Sequence, residues 1–223
     1  MRMLPYEQWA AGITPNGTPG RIPLPAPDLW LHHGAAGTSS ITTARSYARY
    51  HIENRGWLSI GYSFLIAEGK VLEGRGPGRQ GAHTAGENDT SHGICMVGDY
   101  TSHPPSDEDL DALRWLIGHG AEQGWWPTPR LTGGHRDAPG ASTSCPGDAL
   151  YALVPQINRP PTKEDAMTPK QEAKLDAVLA KLAQLDDDAA QRWEWALNDS
   201  LRPLRRGVRA LLASFGVKVE GGP

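Results

Sequence analysis

The sequence predicts an α/β domain built around a largely buried sheet, followed by a small α-helical module. Short apolar runs bounded by glycine or charged residues alternate with longer amphipathic segments over about 130 residues, which is typical of this fold class. After residue 157 the pattern changes to apolar residues at alternating steps of three and four. Such spacing indicates helices that pack along one face.

The predicted strands of the domain are three short apolar runs, at Asp28–His32, Gly61–Ile66 and Gly93–Val97. Apolar character on successive residues, rather than on alternate ones, indicates strands that are covered on both faces. We therefore expect these three runs to form the interior of the sheet.

Two amphipathic segments predict the helices of the domain. The first has apolar residues at helical spacing, namely Ile41, Ala44, Ala48 and Ile52. Ser39 or Ser40 can cap it. The second segment begins with Ser106 and Asp109, which fit a variant of the capping box. Its buried stripe is predicted to contain Leu110, Leu113, Leu116 and Ile117.

The chain divides into four predicted segments. Residues 1–27 are rich in proline and glycine and have no sustained period, which predicts an irregular N-terminal lead on the domain surface. The domain itself spans residues 28–158. The stretch at 159–166 combines proline and charge, which predicts a linker, and residues 167–223 form the helical C-terminal module.

The composition excludes some classes of protein. The 223 residues carry a formal net charge of -3, so no basic field indicates a nucleic-acid partner. Two cysteines are too few for a disulfide framework, and Cys95 lies in an apolar run where a small buried side chain is the ordinary interpretation. No apolar run is typical of a signal peptide or long enough to span a bilayer, so we expect a cytoplasmic protein.

Three features that lie far apart in the sequence offer metal ligands. His32 and His33 end the first predicted strand, His135 lies in the run GGHRD, and Cys145 lies in the run TSCPG. A catalytic zinc takes three ligands from histidine, cysteine or carboxylate side chains and keeps a fourth position for water. Because the chain has eight histidines, the spacing alone leaves an ordinary structural role open for each of them.

The order of short sequence blocks along the chain indicates the protein family more specifically than the spacing of the candidate ligands does. These blocks are LHHG, GYSFLIAEGKVLEGRG, GAHTAGEN, SHGICMVGDY, GGHRD and TSCPG. In this order, over roughly residues 28–157, the chain resembles the N-acetylmuramoyl-L-alanine amidase family, which includes phage endolysins and peptidoglycan recognition proteins. The resemblance implies a mixed central β-sheet flanked by helices.

The resemblance also implies the residues of the site. It places Zn²⁺ on His32, His135 and Cys145, and it makes Tyr62 the catalytic tyrosine. Thr143 stands two positions before the cysteine, where related phage enzymes often carry lysine and recognition proteins often carry threonine. A neutral hydroxyl can hydrogen-bond an oxyanion but adds no positive charge. The alternative for Tyr62 is simple packing within a strand.

Four further residues are expected to contact the substrate. Arg75, His83 and Asn88 match blocks that line the substrate groove in the family. His33 flanks a metal ligand, so it is expected either to contact the substrate or to support that ligand. Arginine pairs with carboxylates of a stem peptide, and the Asn and His side chains hydrogen-bond its amides. A structural role is an equally good interpretation for Arg75, His83 and Asn88.

The function that the resemblance implies is hydrolysis of the amide between N-acetylmuramic acid and L-alanine in peptidoglycan. The expected setting is a phage endolysin, held in the host cytoplasm until a separate pore opens the membrane. One alternative is a recognition module that binds peptidoglycan without cleaving it, although such relatives typically lack the cysteine ligand. Another is an adaptor whose active part is the helical module.

The helical module is predicted to target the cell wall or to self-associate. One apolar stripe consists of Leu201, Leu204, Val208 and Leu211. The arginines that fall largely away from this stripe are Arg202, Arg205, Arg206 and Arg209. One face can therefore pack on a partner while the other meets anionic wall polymers or a membrane surface. The alternative is that the arginines only solubilise a helix.

The module is also predicted to be made as a separate short product that begins at Met167, the alternative being that Met167 is an ordinary residue at the start of a helix. Thr168 then caps a helix with Pro169 at its first position, and the GC-richer codons for Lys163 and Glu164 form a ribosome-binding sequence. So small a hairpin is marginal alone, and packing on the full-length tail would stabilise it. The native gene should give a second, copurifying small band that Met167→Leu removes. A single full-length species in intact mass spectrometry contradicts this prediction.

Overall fold

Residues 3–159 are described by the computed structural model, and within this range six strands form one sheet. The strands are β1 (Met3–Leu4), β2 (Asp28–His33), β3 (Phe64–Ala67), β4 (Lys70–Glu73), β5 (Ser91–Met96) and β6 (Gly133–Gly134). Their order across the sheet is β1-β4-β3-β5-β2-β6. The pair β3 and β4 is antiparallel, and the other neighbouring pairs are parallel. The mixed sheet that the family resemblance implies is confirmed.

The helices flank this sheet. They are α1 (Tyr6–Trp9), α2 (Ile41–Arg49), a π-helical turn (Tyr50–Asn54), α3 (Asp107–Glu122), a 3-10 turn (His135–Asp137), α4 (Asp148–Tyr151) and α5 (Val154–Ile157). Ser40 caps α2, since its Oγ accepts a hydrogen bond from the backbone N–H of Thr43 at 3.0 Å. Within the described range, none of the helices has the length and apolar character needed to cross a membrane.

One face of the sheet packs against α3. The side chains of Leu31, Ile94 and Phe64 lie in one row across β2, β5 and β3, and they share a core with the stripe of α3. The stripe residues are Leu110, Leu113, Leu116 and Ile117, all buried as predicted. Burial of this stripe is what fixes α3 against the sheet.

The opposite face carries the second core and the candidate site. Cys95, Leu65 and Leu72 lie in one row across β5, β3 and β4, and they pack with α1 and α2. His32 is the register partner of Cys95 in β2, so its side chain lies in the same row. The imidazole of His32 therefore points to the face that α2 covers.

The N-terminal segment belongs to the domain, which corrects the prediction of an irregular lead at residues 1–27. β1 pairs with β4, and Tyr6, Trp9 and Ile13 are buried in the second core. The indole N–H of Trp9 donates to the backbone carbonyl of Glu73 at 2.8 Å. A two-residue strand and a one-turn helix are too short to show a hydrophobic period, so the sequence pattern missed them.

Asp109 does not complete the capping box that the sequence suggested. Ser106 Oγ does accept from the backbone N–H of Asp109 at 3.2 Å, as in such a box. The buried Asp109 carboxylate instead accepts from Ser39 Oγ at 2.6 Å and from the backbone N–H of Gly69 at 2.7 Å. The start of α3 is therefore tied to the segment before α2 and to the turn between β3 and β4.

The compact unit that contains the sheet ends at Arg159, next to the predicted boundary at residue 158. The Asn158 side chain anchors this end, because it exchanges two hydrogen bonds of 2.8 and 2.9 Å with the backbone of Leu131. The rest of the predicted linker and the helical module at 167–223 lie outside the described residues. The expectations for wall targeting, self-association and a product starting at Met167 stay predictions.

Candidate metal centre

Three side chains from separate parts of the chain converge on the second face of the sheet. His32 lies near the end of β2, His135 begins the 3-10 turn directly after β6, and Cys145 lies in the loop that follows. Their ligand atoms all lie within 4.8 Å of one another. His32 Nδ1 is 3.7 Å from Cys145 Sγ. In residues 3–159, this is the one group of three histidine, cysteine or acidic side chains that is close enough to hold a metal ion.

This donor set fits zinc. Tetrahedral zinc with bonds of about 2.0 Å to nitrogen and about 2.3 Å to sulfur separates its ligand atoms by roughly 3.3–3.7 Å. The separation of 3.7 Å between His32 Nδ1 and Cys145 Sγ agrees with that value. Two imidazoles and one thiolate also leave a fourth coordination position open, as in catalytic zinc sites.

Burial sets the protonation states of the ligands. Burial, with smaller contributions from His83 and His135, holds the pKa of His32 well below its usual value, so the imidazole is neutral and has a lone pair to donate. Burial raises the pKa of the Cys145 thiol to about 11. The thiolate is therefore unfavourable until a cation compensates its charge, which couples metal binding to release of a proton.

Arg136, the residue after His135, holds the loop that carries Cys145. Its backbone N–H donates to the Cys145 carbonyl at 3.0 Å. Its guanidinium donates to the Ser144 carbonyl and, at 2.8 Å, to the Asp148 carboxylate. One arginine therefore joins the loops of two ligands.

Gly134 allows the cysteine loop to approach β6. A β-carbon at this position would lie 2.6 Å from Pro146 Cδ, a distance that side chains do not tolerate. The backbone N–H of Gly134 donates to Asp137 at 2.9 Å, and Tyr151 donates its hydroxyl to the same carboxylate at 2.8 Å. The runs GGHRD and TSCPG therefore form one interlocked unit around His135 and Cys145.

Tyr62 lies beside the ligands, two residues before β3. Its ring centroid is 5.4 Å from that of His32 and 5.8 Å from that of His51. Burial, together with the nearby thiols of Cys95 and Cys145, holds the pKa of Tyr62 well above its usual value. The phenol is therefore protonated at neutral pH and can act as a hydrogen-bond donor. The thiol of Cys95 is buried, as predicted.

Thr143 lies at the exposed rim of the site. Its Oγ1 accepts a hydrogen bond from the backbone N–H of Cys145 at 3.1 Å. Because a hydroxyl both accepts and donates, its proton remains available to a second acceptor. The structure thus places Tyr62 beside His32 and Thr143 beside Cys145, and their catalytic roles stay predictions.

Sequence reasoning missed two neighbours of the site. Thr84 is buried, and its Oγ1 lies 3.4 Å from His32 Nε2. Its position directly after His83 in the block GAHTAGEN was the available signal. His51 was expected to be an ordinary residue, but its ring stacks on Trp57 with centroids 4.5 Å apart and contacts Tyr62. No pattern distinguishes His51 from other polar residues of its helix.

Comparison with known proteins shows the family. The family model described as N-acetylmuramoyl-L-alanine amidase matches residues 24–148. This chain belongs to the N-acetylmuramoyl-L-alanine amidase family. Members of the family that resemble it include amidases and peptidoglycan-recognition proteins.

Two relatives and one solved structure illustrate the similarity. The N-acetylmuramoyl-L-alanine amidase of Sus scrofa is 35% identical over 159 residues, which cover 67% of this chain and 26% of that protein. Peptidoglycan-recognition protein LB of Drosophila melanogaster is 36% identical over 160 residues, which cover 69% of this chain and 67% of that protein. A mutant of Drosophila PGRP-LB in complex with tracheal cytotoxin aligns with a TM-score of 0.64 and 32% identity, covering 69% of this chain and 92% of that chain.

The four residues expected to contact the substrate do not lie together in the structure. His83 lies under the site, with its ring centroid 5.1 Å from that of His32. Asn88 uses its side-chain oxygen within the loop, where it accepts from the backbone N–H groups of His83 and Thr84 at 2.8 and 3.1 Å. Both side chains therefore make contacts within the protein behind the candidate metal centre.

His33 does not share the site, which corrects the expectation that it contacts substrate beside His32. Successive residues of a strand point to opposite faces, so the side chain of His33 lies on the face of Leu31. His33 Nδ1 accepts from the backbone N–H of Tyr100 at 3.2 Å. Burial lowers the pKa of His33 against an opposing effect of Asp99, which suits a neutral acceptor.

The guanidinium of Arg75 donates hydrogen bonds to three backbone carbonyls of the domain. Its Nε donates to the Ile60 carbonyl at 2.8 Å, and its Nη1 donates to the Gln80 carbonyl at 2.7 Å. Nη2 donates to the Ser59 carbonyl at 3.3 Å. Arg75 therefore ties the segment before Tyr62 to the segment after β4.

Arg75→Lys should lower stability, because a lysine ammonium cannot reach these carbonyls in the fixed fork geometry of a guanidinium. We expect the free energy of unfolding, measured by urea denaturation, to fall by about 1–3 kcal/mol. Arg79→Lys is the matched control, since Arg79 donates to a single carbonyl, that of Pro19, at 3.2 Å, and its loss should stay below about 1 kcal/mol. Unchanged stability with weaker binding of peptidoglycan fragments would instead assign Arg75 to the substrate.

Proposed function

We propose that the protein is a zinc-dependent amidase that cleaves the bond between N-acetylmuramic acid and L-alanine in peptidoglycan. The observation that carries the proposal is Cys145, whose Sγ lies 3.7 Å from His32 Nδ1 and completes a three-ligand set with His135. A module that only binds peptidoglycan needs no such set.

The residues around the metal centre have separate roles in the proposed reaction. His32, His135 and Cys145 would hold the zinc. When bound, zinc supplies Lewis acidity and lowers the pKa of water to near neutrality. The phenol of Tyr62 is protonated at neutral pH, and burial raises its pKa further, so it donates a hydrogen bond where negative charge develops on the carbonyl oxygen of the substrate.

Thr143 supplies a second, weaker donor at the exposed rim. Its Oγ1 is held by the backbone N–H of Cys145, which leaves the hydroxyl proton for the developing oxyanion. A neutral hydroxyl stabilises an anion less than an ammonium does. In the proposed reaction the transition state therefore depends mainly on the metal and on Tyr62.

The relatives support peptidoglycan as the substrate. The pig relative is named an N-acetylmuramoyl-L-alanine amidase, and the aligned Drosophila protein was solved in complex with tracheal cytotoxin. The setting that we propose is a phage endolysin that waits in the host cytoplasm until a separate pore opens the membrane. The support for that setting is that the family indicated by the motif order includes phage endolysins.

A recognition module is the second candidate function, and Thr143 favours it. Recognition proteins of the family often carry threonine at this position. In that case the protein binds peptidoglycan, and the three ligands serve only to hold the loop of Cys145 against β2. Binding without release of new chain ends separates this candidate from the enzyme.

The proposed amidase should release peptides with a free L-alanine amino group from purified peptidoglycan, as identified by mass spectrometry. Cys145→Ser should abolish release while the fold is kept, because the metal loses one of three ligands. The same variant should fail to lyse a host that also expresses a pore-forming protein, whereas the unaltered chain should lyse it. Intact peptidoglycan after digestion with the zinc-loaded full chain contradicts the proposal.

Tyr62→Phe should lower kcat by about 10- to 1000-fold with little change in KM, since a donor used in the transition state affects the rate constant first. Tyr50→Phe is the matched control, because the side chain of Tyr50 is 53% exposed. Weaker binding with an unchanged kcat would assign Tyr62 to the binding surface and not to the chemistry.

A further inference from the structure

A buried hydroxyl connects the metal ligand His32 to a second imidazole. Thr84 Oγ1 lies 3.4 Å from His32 Nε2 and 3.0 Å from His83 Nδ1. The exposed fractions of His32, Thr84 and His83 are 1%, 2% and 9%, so water does not compete for these groups. The three side chains therefore form a series of hydrogen-bonding groups behind the metal centre, which ends at His83.

The chemistry of the three groups determines which atom donates and which accepts in each of these hydrogen bonds. His32 Nδ1 faces Cys145 Sγ, so a metal on Nδ1 leaves the imidazole proton on Nε2. That N–H donates to Thr84 Oγ1. The single hydroxyl proton of Thr84 then remains for His83 Nδ1, which must accept it. His83 in turn carries its own proton on Nε2.

The loop around Thr84 is held rigidly enough to fix these positions. Asn88 Oδ1 accepts from the backbone N–H of His83 at 2.8 Å and from that of Thr84 at 3.1 Å. Gly93 in β5 leaves room for the ring of His83, since a β-carbon there would lie 2.5 Å from its Cγ. Contacts of their own loop and of β5 therefore position the hydroxyl of Thr84 and the ring of His83.

The acceptor at the end of this series must be a neutral imidazole. A neutral imidazole has one nitrogen that accepts, whereas a protonated one has no lone pair for the hydroxyl of Thr84. His83 Nδ1 is the nitrogen that lies 3.0 Å from Thr84 Oγ1. His83 Nε2 is buried and has no hydrogen-bond partner among the described residues, so it makes no competing contact.

We propose that Thr84 is a positioning residue for the metal centre, which sets the tautomer and ring orientation of His32 through its hydroxyl, with His83 as the final acceptor. The inference rests on the zinc site of the proposed function. Metal-binding histidines usually donate their second N–H to a carboxylate, a carbonyl or water. Here the partner is a hydroxyl relayed to an imidazole, which orients His32 without adding a negative charge.

Two substitutions at Thr84 separate the hydroxyl from packing. Thr84→Val keeps the shape and removes the hydroxyl, whereas Thr84→Ser keeps the hydroxyl and removes the methyl group. Measured on the full chain by competition with a zinc chelator, Thr84→Val should weaken zinc binding by about 10- to 100-fold, as loss of such a partner typically does. Thr84→Ser should stay within about threefold of the unaltered protein. The reverse order, or equal affinities, overturns the proposal.

The tautomers test the same proposal in the unaltered protein, so the result does not depend on the folding of a variant. The ¹⁵N chemical shifts of the zinc-loaded full chain should show the proton of both His32 and His83 on Nε2. A proton on Nδ1 of His83 overturns the proposal. If the protein binds zinc and cleaves peptidoglycan while Thr84→Val keeps full affinity, the proposed function stands and this inference fails. A full chain that binds no zinc contradicts both.

Discussion

The site depends on one buried imidazole, that of His32, which has a polar neighbour at each of its two nitrogens. His32 lies in the interior of the sheet, where an unpaired polar atom is costly. Its Nδ1 faces Cys145 and its Nε2 faces Thr84, so the ring can neither flip nor tilt without losing a contact on each side. The orientation of every other group at the site follows from this ring, since His135, Tyr62 and His83 all pack around it.

Two glycines of the sheet, Gly93 and Gly133, leave space for side chains that support the site. Trp30, two residues before His32 on the same face, has Gly93 as its register partner on one side and Gly133 on the other. The ring of His83 occupies the space beside Gly93, and the carboxylate of Asp137 occupies the space beside Gly133. Parallel pairing of β2 with both neighbours therefore brings supporting residues from two distant loops to one ligand strand.

Much of the site could be predicted from the sequence because its ligands are of unusual chemical type and lie in short, ordered blocks. His32, His135 and Cys145 were found in this way, as was Tyr62. The face of His33 follows from strand alternation, but the adjacent histidines favoured a shared role. The contacts of Arg75 could not be predicted, because they run to backbone carbonyls whose positions only the folded chain defines.

The sequence predicts the longer helices and strands, which show a hydrophobic pattern, and it misses the elements that are too short to show one. α3 has 16 residues and a clear apolar stripe, whereas β1 and α1 contain two and four residues and depend on tertiary pairing. The most direct test of the account is anomalous diffraction at the zinc edge from crystals of the zinc-loaded full chain. We expect one peak, bonded to His32 Nδ1, to a nitrogen of His135 and to Cys145 Sγ at about 2.0–2.3 Å. A peak on His32 Nε2, or one away from these three residues, would contradict it.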